Sequence, residues 1–134
     1  MTEQPWPDIE AELIDWLEST AWPDVHADTV VDASLETRLT SGKIVVRVGK
    51  IGGTNDGVTA FDRVHIETFA LTRGAAMDKA REIEVALRPR TRLMSATIDT
   101  VRTDASPHTV PWDNVKIDRV LATYQISSRK GRLS

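Results

Sequence analysis

The chain contains no cysteine among its 134 residues. Disulfide frameworks, thiolate nucleophiles and cysteine-bound zinc are therefore excluded, and a burial core must hold the fold together without staples. The chain never approaches the roughly 18 consecutive apolar residues of a membrane span. Its first residues, Met1-Thr2-Glu3-Gln4-Pro5-Trp6-Pro7-Asp8, lack the basic and apolar regions of a secretory leader, so a soluble protein made in the cytoplasm is expected. Internal repeats, heptad arrays and low-complexity tracts are also absent. A chain of this length can bury one core but not two, so a single domain over residues 1–134 is expected, with a loose N-terminus (1–5) and a basic C-terminal tail (129–134).

Positive charge is missing from one whole segment. Residues 1–37 hold ten acids and no Lys or Arg, whereas residues 38–134 hold the other ten acids and all seventeen basic side chains. The formal net charge of -3 is thus the sum of -10 and +7. Such a chain favours an acidic surface meeting a basic one, within the monomer or between copies.

Periodicity supplies the elements. Asp8 can cap a helix whose Ile9, Leu13, Trp16 and Leu17 share one stripe, ending near Thr20, with Glu10 and Glu12 close to its positive end. Residues 30–39 alternate as a strand, and Ser41-Gly42 turns them back into a strand over 44–48, giving a hairpin. Residues 50–58 carry Gly52, Gly53 and Gly57 with Asn55 and Asp56 and read as a flexible loop. A strand begins at Asp62; its apolar phase shifts from Val64 and Ile66 to Phe69 and Leu71, which predicts a bulge or later burial on both faces. Ala76, Ala80, Ile83 and Leu87 mark a second helix. Strands over 97–102 and 116–128 follow, with Val120, Ala122, Tyr124 and Ile126 on one face. The expected class is α+β: a single mixed, largely antiparallel sheet of about five strands with two helices packed on one side.

The run from Asp62 to Arg73, passing without a loop into Gly74-Ala75-Ala76-Met77-Asp78-Lys79-Ala80-Arg81-Glu82-Ile83-Glu84-Val85-Ala86-Leu87, is followed by Ile98-Asp99-Thr100-Val101-Arg102-Thr103, by Val110-Pro111-Trp112-Asp113-Asn114 and by the strand ending at Arg129. This block resembles the tail-terminator (tail completion) family of long-tailed phages, especially those of actinobacterial hosts. The resemblance implies a structural virion protein of the tail and neck, not an enzyme. Such a protein forms a ring, expected as a homohexamer, that caps the tail tube, ends its polymerisation and offers a surface for head attachment. The implied partners are other copies of the chain, the major tail tube protein and a head-tail connector protein, with DNA only as cargo passing through the channel and with no membrane and no cofactor. Another connector or stopper of the neck, or a small nucleic-acid-binding domain, are the alternative readings. The first sixty residues carry no family-specific motif.

Chemical motifs are sparse. Gly49-Lys50-Ile51-Gly52-Gly53-Thr54 lacks the glycine spacing and the Lys-Ser/Thr pair of a phosphate-binding loop. Asp24, His26 and Asp28 alternate like metal ligands but read as a solvated acidic loop without a recruited third element. His65 and Glu67 share a strand face without a nucleophile nearby, so His65 is expected to be a packed or interface residue. His108 is expected in a loop between Pro107 and Pro111. Among the tryptophans, Trp16 is assigned to the core, while Trp6, Trp22 and Trp112 adjoin prolines at predicted rims. No catalytic, cofactor or metal residue is assigned. The candidate interface comprises acidic Glu10, Glu12, Asp15 and Glu18 facing basic Arg88, Arg90 and Arg92 of a neighbour, with Gly52, Gly53 and Asn55 in a segment that a partner orders.

Overall fold

A computed structural model describes residues 6, 8–19, 22–87, 92–93 and 96–129. Helix α1 (Ile9–Leu17) leads into strand β1 (Val25–Asp28), helix α2 (Leu35–Thr40), strands β2 (Ile44–Asn55) and β3 (Thr59–Ala70), helix α3 (Arg73–Leu87), and strands β4 (Arg92–Leu93), β5 (Ala96–Val110) and β6 (Asp118–Arg129). The strands form one sheet in the order β1-β2-β3-β6-β5-β4. Only β1 and β2 run parallel; the other neighbours are antiparallel. The mixed, largely antiparallel α+β class is therefore the one found. The expected loose ends at 1–5 and 130–134 lie outside the described residues, and Arg129 is the last residue of β6 rather than the start of a tail.

One face of the sheet carries the main core. The Asp8 side chain accepts from the Ala11 backbone N–H at 3.1 Å, closing the N-terminus of α1. The helix then lays Ile9, Leu13, Trp16 and Leu17 toward Val25 and Ala27 of β1 and Val46 and Val48 of β2, while α3 adds Ile83 and Leu87 over β3 and β6, with Val64, Ile66, Ala122, Tyr124 and Ile126 in the same core. Strands β3 and β6 lie in the middle of the sheet, and the last part of β3 is covered on both faces, which explains the phase change after Ile66. Residues Ile66, Glu67, Thr68, Phe69 and Ala70 are all buried.

The opposite face is covered only at one corner, and there the structure departs from the expected hairpin. Residues 30–39 do not form a strand. Asp32 accepts hydrogen bonds from both the backbone N–H and the hydroxyl of Ser34, which turns the chain into the helix α2. Leu35 and Leu39, four residues apart, then pack on Val45, Phe69 and Ile117. The spacing that suggested alternation is equally a one-turn helical spacing, and packing on Phe69 selects it. The edge strand is instead the short β1, parallel to β2. The two expected helices, α1 and α3, do share one side, and α2 is a third on the other.

Two further expectations are corrected. The segment 50–58 is not a loop: residues up to Asn55 continue β2 and pair with β3 in the register Gly52↔Arg63, Gly53↔Asp62, Thr54↔Phe61 and Asn55↔Ala60. Gly57, at φ 87°, supplies the left-handed turn residue, and the Asp56 carboxylate accepts from the N–H groups of Val58 (2.9 Å) and Thr59 (2.7 Å). Glycine content weakened the strand signal, but pairing with β3 overrides it. Likewise β5 runs through Pro107 to Val110, so His108 is a strand residue. Proline is tolerated because β5 is an edge there and because irregularities at 98/100, 103/105 and 105/108 absorb the missing donor.

Candidate assembly surface

Alternation along the strands sorts the exposed charges by face. Arg47, Arg63, Arg102, Arg119 and Arg129 all belong to the sheet face opposite α1 and α3, as the registers Arg47↔Glu67, Arg63↔Gln125, Arg102↔Gln125 and Phe69↔Arg119 require. Among the described strand residues the acids on that face are Asp28, level with Arg47 in the β1–β2 register, Glu67 and Asp104; Asp104 bridges Arg63 at 3.2 Å and Arg102 at 3.6 Å. Beneath the other face, α1 turns four acids outward from its buried stripe. The body thus has an arginine-rich open sheet on one side and an acidic helix on the other.

The four acids of α1 are not equivalent. Glu10 accepts from the Lys50 backbone N–H at 2.9 Å, and Glu18 accepts from the Ala27 backbone N–H at 3.0 Å while lying 3.6 Å from His26 Nδ1. Both therefore cap N–H groups at the β1–β2 edge of the sheet, a role invisible before the register is known. Glu12 is partly buried and Asp15 is exposed. Among the basic partners proposed from sequence, Arg88 and Arg90 lie outside the described residues. Arg92 opens β4, and α1 approaches β4 within the same chain.

Gly52, Gly53 and Asn55 stand on the exposed outer stretch of β2. A side chain at Gly53 would place its Cβ 2.7 Å from Asp62 Oδ1 and 2.8 Å from the Phe61 carbonyl oxygen, so the close β2–β3 approach requires glycine there. At Gly52 the same atom meets nothing within 4 Å. The Asp62 carboxylate is itself buried and held by Lys50 Nζ at 3.1 Å.

The densest polar constellation was not foreseen. Glu67, 7% exposed, accepts from Arg47 Nε at 2.7 Å and Nη2 at 2.9 Å, and from Arg119 Nη1 at 2.9 Å. Trp112 lies between the two guanidinium groups, with ring-centre distances of 5.8 Å to Arg47 and 5.0 Å to Arg119, and meets Phe69 edge-on at 4.9 Å. Arg119 also donates to the Pro111 carbonyl at 2.8 Å. The cluster straps the β5–β6 connection onto the open sheet face and leaves Val115, 95% exposed, at its tip. An arginine at the polar phase of each flanking strand was legible; their convergence on Glu67 was not, because it depends on the order β2-β3-β6. His65 shares this face but not this cluster.

A second strap joins α3 to the segment before β1. Lys79 bridges Asp24 at 3.0 Å and Glu82 at 3.1 Å and sits 5.3 Å from the Trp22 ring, which meets Trp16 edge-on at 5.7 Å. Burial alone lowers the pKa of the Lys79 ammonium, but hydrogen bonds and charge from Asp24 and Glu82 outweigh it and hold the group above its ordinary value. Among the described residues, no three or more His, Asp or Glu side chains gather as metal ligands, and no helix is long and apolar enough to cross a membrane. Neither a scan against models of known protein families nor a comparison with characterised proteins found a match to this chain.

Proposed function

We propose that this protein is a structural component of a long-tailed phage, a tail terminator that closes into a ring, caps the tail tube and offers the joined head a docking surface. The observation that carries this reading is the chemical difference between the two sides of the body. An open sheet face bearing five arginines against three acids, Asp28, Glu67 and Asp104, backs onto an acidic helix. Sides of opposite charge favour contact with each other over contact with themselves, and such head-to-tail contacts close into rings when the rotation between copies divides the circle. The charged side chains that the fold brings together, Arg47, Glu67 and Arg119 or Lys79, Asp24 and Glu82, cross-link chain segments instead of converging on a cavity. That is the use of charge expected of a rigid building block. The resemblance of residues 62–129 to the tail-terminator family supplies the particular assembly.

The test is mass and geometry. Native mass measurement and sedimentation should give a ring, expected as a hexamer, that weakens as added salt screens the contact. Mixed with polymerising tail tube protein, it should bind tube ends and fix their length in electron micrographs. A chain that is strictly monomeric at every concentration and absent from tube ends overturns the proposal.

A further inference from the structure

The outer edge of the sheet is guarded along part of its length and bare along the rest. β1 covers β2 from Ile44 to Arg47, Glu18 caps the Ala27 N–H of β1, and Glu10 caps the Lys50 N–H of β2. Beyond Lys50 the charged guard stops, a register irregularity at Ile51 follows, and pairing with β3 is regular again from Gly52 to Asn55. Residues 51–55 have no charge and no proline, all are exposed, and Ile51 is 46% exposed. Soluble proteins blunt such edges with charge, proline or bulges because an uncovered edge pairs with any available strand. The other long outer edge is that of β5, which β4 covers only at Ala96 and Thr97 and which is regular from Thr100 to Thr103.

We propose that the outer edge of β2 beyond Lys50 pairs, antiparallel, with the outer edge of β5 in a second copy of this chain. Strand directions alternate from β2 through β3 and β6 to β5, so β5 runs opposite to β2 and a second copy added in the same sense continues the sheet antiparallel. The hydrogen-bonding phases agree. Asp56 N donates to the Thr59 carbonyl at 3.1 Å, so 56 and 54 face β3 while 53 and 55 face outward. Thr100 N donates to Ser127 Oγ at 3.1 Å toward β6, so 101 and 103 face outward. Outward residues can pair with outward residues in two registers, with Gly53 opposite either Val101 or Thr103. Both also keep the sheet faces matched. They place either Gly52 or Thr54 opposite Arg102, where the near absence of side chains at 52 and 53 leaves room for the long residues of β5. The contact is head-to-tail, as a ring requires. It rests on the ring reading for the existence of a self-contact and specifies where that contact lies.

The absence of cysteine makes the test direct. Three single variants, Gly52→Cys, Thr54→Cys and Arg102→Cys, lie at exposed positions on one sheet face. Within one chain two strands separate β2 from β5, which at roughly 4.8 Å per strand step keeps the thiols beyond the about 7 Å Cα reach of a disulfide. Mixing Arg102→Cys with Gly52→Cys or with Thr54→Cys under mild oxidation should give a disulfide-linked dimer, at least tenfold above a Val85→Cys with Val115→Cys control, and the productive pair reports the register. Because Asn55 Oδ1 also accepts the Gly57 N–H at 3.2 Å, Asn55→Lys is read against Asn55→Ala: the lysine should weaken self-association at least tenfold relative to the alanine with the same unfolding midpoint. Four results overturn the inference: cross-linking no better than the control while sedimentation still shows rings, which leaves the ring reading standing; efficient dimers from Gly52→Cys or Thr54→Cys alone, which means β2 pairs with itself; undiminished association of Asn55→Lys relative to Asn55→Ala; or a wild-type chain that is monomeric throughout, which removes both readings.

Discussion

Replacing Glu67 by Gln isolates the central strap on the open sheet face. The native carboxylate accepts three charged hydrogen bonds, at 2.7, 2.9 and 2.9 Å, from Arg47 and Arg119. Charged hydrogen bonds contribute about 1.5–3 kcal/mol each, and removing one partner of a fully buried ion pair costs about 3–5 kcal/mol. The two arginine side chains remain 29% and 19% exposed, so water can satisfy part of what the carboxylate releases. The amide retains one acceptor, and its cost should be about 3 kcal/mol. With an unfolding entropy of about 2.1 cal/mol/K per residue, 134 residues give roughly 0.28 kcal/mol/K, so the melting temperature should fall by roughly 10 °C. Urea unfolding followed by tryptophan fluorescence should show a lower midpoint with an unchanged slope. Replacing all three charged residues with apolar ones of similar volume, Arg47→Met with Glu67→Leu and Arg119→Met, should recover most of the loss, because the penalty lies in uncompensated charge. A loss below about 1 kcal/mol for Glu67→Gln would refute the view that this cluster fastens the β5–β6 connection.

Three other outcomes are expected. Gly53→Ala should cost about 1–3 kcal/mol, because its Cβ meets a backbone oxygen at 2.8 Å and the strands must part, whereas Gly52→Ala should stay within about 0.5 kcal/mol; paired denaturation curves decide it. Ile83→Ala, at 1% exposure, should cost about 2–5 kcal/mol, while Val85→Ala on the same helix, at 73% exposure, should be nearly neutral. Hydrogen bonds from the Thr59 and Val58 N–H groups hold the Asp56 carboxyl below its ordinary value of about 3.9, so its contribution is complete above that pH and is lost as pH falls through the lowered value. The protection of the Val58 and Thr59 amides relative to their intrinsic exchange rates should fall below about pH 4, and that fall should vanish in Asp56→Ala.

What was legible from sequence was whatever a single element decides for itself. The α1 stripe of Ile9, Leu13, Trp16 and Leu17, the α3 stripe of Ala76, Ala80, Ile83 and Leu87, and the β6 face of Val120, Ala122, Tyr124 and Ile126 are all buried as their periods require. The failures occur where a partner element chooses between two local solutions. Leu35 and Leu39 fit either a strand or one turn of helix until Phe69 and Val45 are placed beneath them. Gly52 and Gly53 look like a loop until β3 lies alongside, and Pro107 ends a strand unless that strand is an edge with irregular pairing. Composition reports what a segment tolerates; the neighbouring strand decides what it does.

The candidate surface divides along the same line, and the division bears on how the charge split should be understood. An excess of acid over residues 1–37 is visible without any structure and suggests a surface offered to another copy. Two of the four acids of that candidate surface, Glu10 and Glu18, each accept an edge N–H of their own sheet. Part of the asymmetry therefore serves to close one edge, and the edge ceases to be closed where α1 runs out, at Lys50. Charge that protects an edge and an edge left bare beyond it are two parts of one arrangement: the first keeps β1 and the near half of β2 from pairing indiscriminately, and the second confines pairing to the regular stretch from 52 to 55. A neutral replacement of Glu10 should accordingly extend the bare edge by one N–H group and increase non-specific association, whereas Asp15→Asn, at an exposed position on the same helix, should leave it unchanged. Turbidity and light scattering at matched concentration distinguish the two variants, and equal behaviour would remove the guarding role from Glu10.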